Sequence, residues 1–207
     1  FMNYRRDIFV KRKNMSRSLV QPRKVLLSSW LCISLILCSC KKTDDPVVLA
    51  KEINAEKFQN SEQLSADASL LVEWAAINLV ELEMLRLADR RSAKTELREK
   101  VDMLLKAHQK LNDDIHAAAT AEGITIPNAL SDDGKAQIEK LYRVNASSFE
   151  ATFIKTLRDS HTQTVLIAEK LAASTSKSDL QKLAGRALPE LQSHLVDIRL
   201  KNEVSQR

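Results

Sequence analysis

Leu104-Leu105-Lys106-Ala107-His108-Gln109-Lys110-Leu111 sets an imidazole in the middle of an apolar helical stripe. Counting by threes and fours gives Leu97, Val101, Leu104, His108, Leu111, Ile115 and Ala118, one face of an amphipathic helix interrupted once by a polar ring. A buried polar group without a partner costs roughly 1–3 kcal/mol. The stripe therefore requires a partner for His108 from elsewhere in the chain.

Three other stripes each offer one. Upstream, Leu70, Trp74, Ile77, Glu81, Met84 and Ala88 form an apolar face with a carboxylate near its centre, on a helix that Ser65 or Asp67 can cap. Ser92 or Thr95 starts the helix that carries His108, and Gly123 supplies a left-handed cap after Glu122. Ile124 to Ser131, with Pro127 inside it, is a connection long enough to cross one end of a helical bundle. A short helix is predicted over Asp132 to Tyr142, after which Asn145 interrupts the pattern and Ser147 or Ser148 restarts it.

The third long helix reads Phe153 or Ile154, Leu157, His161, Thr164 or Val165, Ala168 and Leu171, and the fourth reads Leu180, Ala184, Ala187, Leu191, His194 and Ile198. Pro189 lies inside the fourth; its ring is expected to clash with the Gly185 carbonyl and bend the helix. The spacing predicts an all-α fold of four long helices with a crossover connection and a short extra helix between the second and third. In an antiparallel hairpin, residues equidistant from the turn lie at one height. Glu81 and His108 are centred on Lys94 and Thr95, and His161 and His194 on Lys177 and Ser178, both inside the expected turns. Each pair is therefore level within its hairpin. The height of one hairpin against the other is open.

If the levels coincide, one carboxylate and three imidazoles meet in the core. Imidazole nitrogens suit Zn, Fe or Cu and a carboxylate adds charge compensation, so Glu81, His108, His161 and His194 are candidate ligands for one divalent transition metal (Zn, Fe, Mn or Cu). The alternative is a hydrogen-bonded polar layer with Glu81 as acceptor, of the kind that fixes helix register. His116 falls off the central stripe and is expected in solvent. Glu150 lies eleven residues from His161, about 16 Å along a helix at 1.5 Å per residue, and cannot share that site.

Composition narrows the classes further. Of 207 residues only 3 are Gly and 4 Pro, and aromatics make up 4%, which favours helices over a β-sandwich. The net charge of +5 suggests nucleic acid until its location is noted: eight basic residues against Asp7 precede Cys40, giving +7 there and −2 for the remainder. The basic character belongs to a leader, and no nucleic-acid partner is expected. Cys32, Cys38 and Cys40 close one apolar run and no cysteine follows, so the globular part has neither disulfides nor a cysteine metal site. A hydrolase reading lacks a nucleophile, because no Gly-flanked serine is present and Asp159, Ser160 and His161 point to different helix faces.

The run Val25 to Ser39 is shorter than the roughly 20 residues of a membrane-spanning helix and has the size of a signal-peptide core; Met15 gives it a more ordinary start than Met2. Leu37-Cys38-Ser39-Cys40 resembles a bacterial lipobox, which implies cleavage before Cys40 and lipid attachment there. Lys41 to Pro46 reads as a polar tether, and Val47 to Phe58 as a stretch able to form a short helix. The expected organisation is a lipoprotein signal peptide at 1–39, a lipidated cysteine and tether at 40–64, and a helical bundle at 65–207.

The pieces Ala76-Ile77-Asn78-Leu79-Val80-Glu81-Leu82-Glu83, Leu105-Lys106-Ala107-His108, Ile126-Pro127, Phe149-Glu150, Asp159-Ser160-His161 and Leu188-Pro189-Glu190-Leu191-Gln192-Ser193-His194 resemble a bacterial family of secreted or envelope proteins, often labelled predicted outer-membrane proteins. The resemblance runs from about Ser65 to Lys201 and implies a ferritin-like four-helix bundle. Members commonly carry an aspartate just before the histidine in the second and third helices, where this chain has Ala107 and Ser160. The paired Glu-x-x-His motifs of di-iron proteins are absent, which argues against a ferroxidase. The expectation is an envelope lipoprotein, attached to a membrane, by implication the outer one, through lipid on Cys40, with a metal-handling or stress role. The competing expectation is a structural or protein-interaction module.

Overall fold

The computed structural model describes residues 44–92 and 94–204, with side chains as far as Ile198; the stretch expected to be a signal peptide and Cys40 lie outside the described residues. Among the described residues there are six helices and no strand: α1 (Pro46–Lys57), α2 (Glu62–Arg91), α3 (Thr95–Glu122), α4 (Asp132–Tyr142), α5 (Ala146–Ser174) and α6 (Ser178–Val204). None is long and apolar enough to cross a membrane.

Local chemistry sets the ends. Ser61, not Ser65 or Asp67, caps α2 by accepting from the Leu64 amide. Asp67 is instead buried, where its carboxylate accepts from the Thr175 hydroxyl at 2.6 Å and the Gln63 amide at 2.8 Å, tying the start of α2 to the α5–α6 turn. Asn145 itself caps α5 by accepting from Ser148 N at 2.9 Å, so the residue expected to interrupt the pattern starts the helix. Gly123, at φ 65°, ends α3 in the left-handed region, as expected of a glycine cap. Pro127 is buried in the following connection. α6 runs unbroken through Pro189, which faces outward, so solvent can serve the Gly185 carbonyl left without its helical N–H donor.

The long helices pack as a closed ring, α2 on α3, α3 on α6, α6 on α5 and α5 on α2. α2 also carries α1 and α4 on its outer side. That explains why its single predicted stripe was too narrow: Leu71, Val72, Ala75, Leu82, Leu85 and Leu87 are buried as well. The short helix expected over Val47 to Phe58 is α1, and it is docked on α2. Asn54 is buried and holds the α3–α4 connection through both amide atoms, donating to Thr125 O at 2.7 Å and accepting from Thr125 N at 2.8 Å. Arg91 closes the other end, donating to Tyr142 O at 2.9 Å and Val144 O at 2.7 Å while its guanidinium lies 4.1 Å over the Phe149 ring.

The core falls into two apolar clusters. One gathers Leu71 and Trp74 of α2, Ile115 of α3, Leu171 of α5 and Leu183 of α6. The other gathers Met84 and Leu85, Leu97 and Val101, Phe153 and Leu157, and Ile198 from the same four helices. The early half of α2 thus packs with the late half of α3 and of α5, and with the early half of α6. Asn78, His108 and His161 fall between the two clusters in number, Glu81 stands beside Val80 and His194 beside Leu195 at the clusters' edges, and all five are buried.

Candidate metal centre

The two hairpins do coincide in height. Ring centroids of His108 and His161 are 5.0 Å apart, those of His161 and His194 5.7 Å, and those of His108 and His194 6.2 Å. One ligand nitrogen from each of the three lies within 4.8 Å of the other two. Two nitrogens bound to one ion at about 2.0–2.1 Å stand roughly 3.3 Å apart in a tetrahedron. Small rotamer changes would span the remaining difference.

Hydrogen bonding fixes which atoms face inward. Asn78 donates through Nδ2 to the His108 carbonyl at 3.2 Å and to Asn112 Oδ1 at 3.5 Å, so its Oδ1 must accept from His108 Nδ1 at 2.8 Å. His108 then carries its proton on Nδ1 and presents the lone pair of Nε2. A carboxylate only accepts, so His161 Nδ1 donates to Glu81 Oε1 at 3.2 Å and its Nε2 is likewise turned away from its support. Glu81 Oε2 lies 3.3 Å from His108 Nδ1 but receives no hydrogen bond, because that single N–H is aimed at Asn78. Glu81 thus stands behind the imidazoles of His108 and His161, as the carboxylate in a carboxylate–histidine–metal arrangement does.

Among the described residues, five buried side-chain nitrogen or oxygen atoms have no hydrogen-bond partner. Four of them are Glu81 Oε2, His108 Nε2, His161 Nε2 and His194 Nδ1, one from each predicted ligand; the fifth is Trp74 Nε1. Such atoms are rare in folded proteins because each costs roughly 1–3 kcal/mol. Four in one place, all of metal-ligand type, are a donor set without an acceptor.

Charge points the same way. Burial pushes the His108 imidazole down to about 4 against the opposing pull of Glu81, so the ring is neutral at pH 7. Burial likewise lowers His194. Burial alone would raise Glu81, but the His108 and His161 rings and the Ser160 hydroxyl hold it below its ordinary value, so it is ionised at neutral pH. Ser160, one residue before His161, supports that carboxylate. A cation matches a buried carboxylate flanked by unpartnered imidazole nitrogens.

Asn78 is the site residue that the apolar stripes do not single out. Its signal was available: three residues before Glu81, one turn along the same face. His116 is exposed, as expected, and Glu150 pairs with Lys94 at 2.8 Å, away from the cluster.

Fold and site together define an all-helical protein whose core holds a histidine-rich polar centre between two apolar clusters. The chain belongs to the family described as "Domain of unknown function (DUF4142)", whose model matches residues 54–199. The match begins within α1, ahead of the boundary at Ser65 read from the stripes. No curated protein and no solved structure matches the chain.

Proposed function

We propose that this protein is a metal-binding envelope lipoprotein whose globular part is a ferritin-like, antiparallel four-helix bundle formed by α2, α3, α5 and α6, with α4 in the crossover. The closed ring of long helices and the reversed numbering of the two apolar clusters support the bundle. His108, His161 and His194 bind one divalent transition metal, and Glu81 supplies charge and orientation from behind or joins as a fourth ligand through Oε2. The observation that carries this reading is the set of four unpartnered buried donor atoms. The lipobox-like Leu37-Cys38-Ser39-Cys40 supports a lipid on Cys40 as the membrane anchor, and with it a metal-handling or stress role in the bacterial envelope, at the outer membrane.

The polar-layer reading has its own support in the Asn78–His108 and Glu81–His161 hydrogen bonds, which tie helices together without an ion. Titration of the purified metal-free protein with Zn, Mn, Fe(II) and Cu(II), read by calorimetry and by melting temperature, separates the two. One equivalent bound with a raised melting temperature, lost together in His161→Ala, is the expected result. Melting that no ion shifts leaves the polar layer as the function of these residues. For the anchor, Cys40→Ala should abolish lipid labelling and release the protein from membranes; full retention overturns that part alone.

A further inference from the structure

Glu81 and His161 are fully buried and His108 nearly so, which closes the cluster on its α2 and α5 sides. The α3–α6 side differs. A cavity there is lined by Ala107, His108, Leu111, Ala187, Leu191, His194 and the rim carboxylate Glu190, and has about 10 Å³ for the centres of water-sized spheres. Room of that order holds about one water molecule. Two of its walls are the side chains of Ala107 and Ala187, the smallest that still carry a Cβ. A larger apolar groove also has His194 in its wall, but neither His108 nor His161.

The geometry points to an exchangeable coordination position on the bound metal that opens into this cavity and takes only small inorganic donors: water, hydroxide, or a linear anion such as azide. The inference rests on the metal reading above. Three imidazoles leave a tetrahedral ion one position short with Glu81 behind the rings, where His161 holds its Oε1; an ion that also took Oε2 would open by expanding to five-coordinate. The cavity that His108 and His194 share lies between α3 and α6. An ion open into this cavity exchanges a ligand of two or three atoms in a line and excludes a ring. Glu190, exposed at the rim one turn before His194, sets a negative charge across the approach.

The test uses the full-length protein loaded with Co(II), whose visible absorption reports its ligands. Azide should produce a saturable spectral change, and imidazole at the same concentrations none. Ala107→Leu fills the cavity and should weaken azide binding roughly tenfold or more while the Co(II) spectrum persists. Glu190→Gln, on the solvent side, should strengthen azide binding about twofold or more by removing a like charge; it keeps the test alive if Ala107→Leu does not fold. A Co(II) spectrum that azide leaves unchanged, an equal response to imidazole, or azide affinities untouched by both substitutions overturns the open position and leaves the metal site standing. Failure to bind Co(II) at all overturns the metal reading and this inference with it.

Discussion

Acidification of the metal-free protein is expected to cost about 3 kcal/mol of stability through His108 alone. The ring is 1% exposed and its pKa lies at about 4, while in the unfolded chain it titrates near 6.5. Between those values the unfolded chain binds the proton and the folded chain refuses it. Stability from this residue is therefore complete above about pH 6.5, falls as pH drops toward 4, and changes no further below that. A gap of about 2.5 pH units at 1.36 kcal/mol each gives the figure. His194 is shifted the same way and adds to the fall. Glu81 is held below its ordinary value, so its contribution is present above the unfolded carboxylate pKa and is lost only at lower pH, as the folded carboxylate takes up its proton. Urea unfolding in the presence of a chelator, from pH 7.5 to 4, measures the slope for the wild type and for His108→Leu. The variant changes the overall level of stability, so the slope is the readout. The expected result is a clearly flatter profile in the variant between pH 6.5 and 4.5. Parallel profiles, or a wild type that gains stability on acidification, would refute a neutral buried imidazole.

Glu81→Gln separates a counter-charge from a structural acceptor. As a counter-charge, its loss should leave metal-free stability within about 1 kcal/mol of wild type or above it, while metal affinity falls about 10–100-fold by calorimetry. A drop of about 3–5 kcal/mol without metal would mark Glu81 as the essential acceptor of a polar layer instead. Asn78→Ala should weaken metal binding about tenfold, because the His108 tautomer loses its partner; unchanged affinity would show that Nδ1 needs no such support. Arg91→Ala should cost about 2 kcal/mol, seen as a melting temperature lower by about 4–8 °C, through the lost contacts to Tyr142 O, Val144 O and Phe149.

Much of the site was legible because helical periodicity fixes faces, and short turns fix heights within a hairpin. Glu81, His108, His161 and His194 each broke an apolar stripe, and two three-residue turns set them level in pairs. The crossover height was not legible, since it depends on how α4 and the residues around Pro127 lie across α2 and α5. Nor was the role of Glu81, because spacing places a carboxylate on a face but does not say which side of an imidazole it meets. The helix α1 was legible as a stretch over Val47 to Phe58, but its docking was not: Asn54 reads the Thr125 backbone, a contact with no periodic signature. Ser61 was passed over as a cap because α2 is buried on several faces, and a single stripe starts counting too late.

X-ray absorption at the zinc edge of the loaded protein tests the central claim most directly, since imidazole rings give a distinctive outer-shell scattering pattern. Three imidazole nitrogens at about 2.0–2.1 Å with one or two light oxygen neighbours are expected, falling to two imidazoles in His194→Ala. Zinc held by oxygens alone, or a spectrum that His161→Ala and His194→Ala both leave unchanged, would contradict a metal centre built on this cluster.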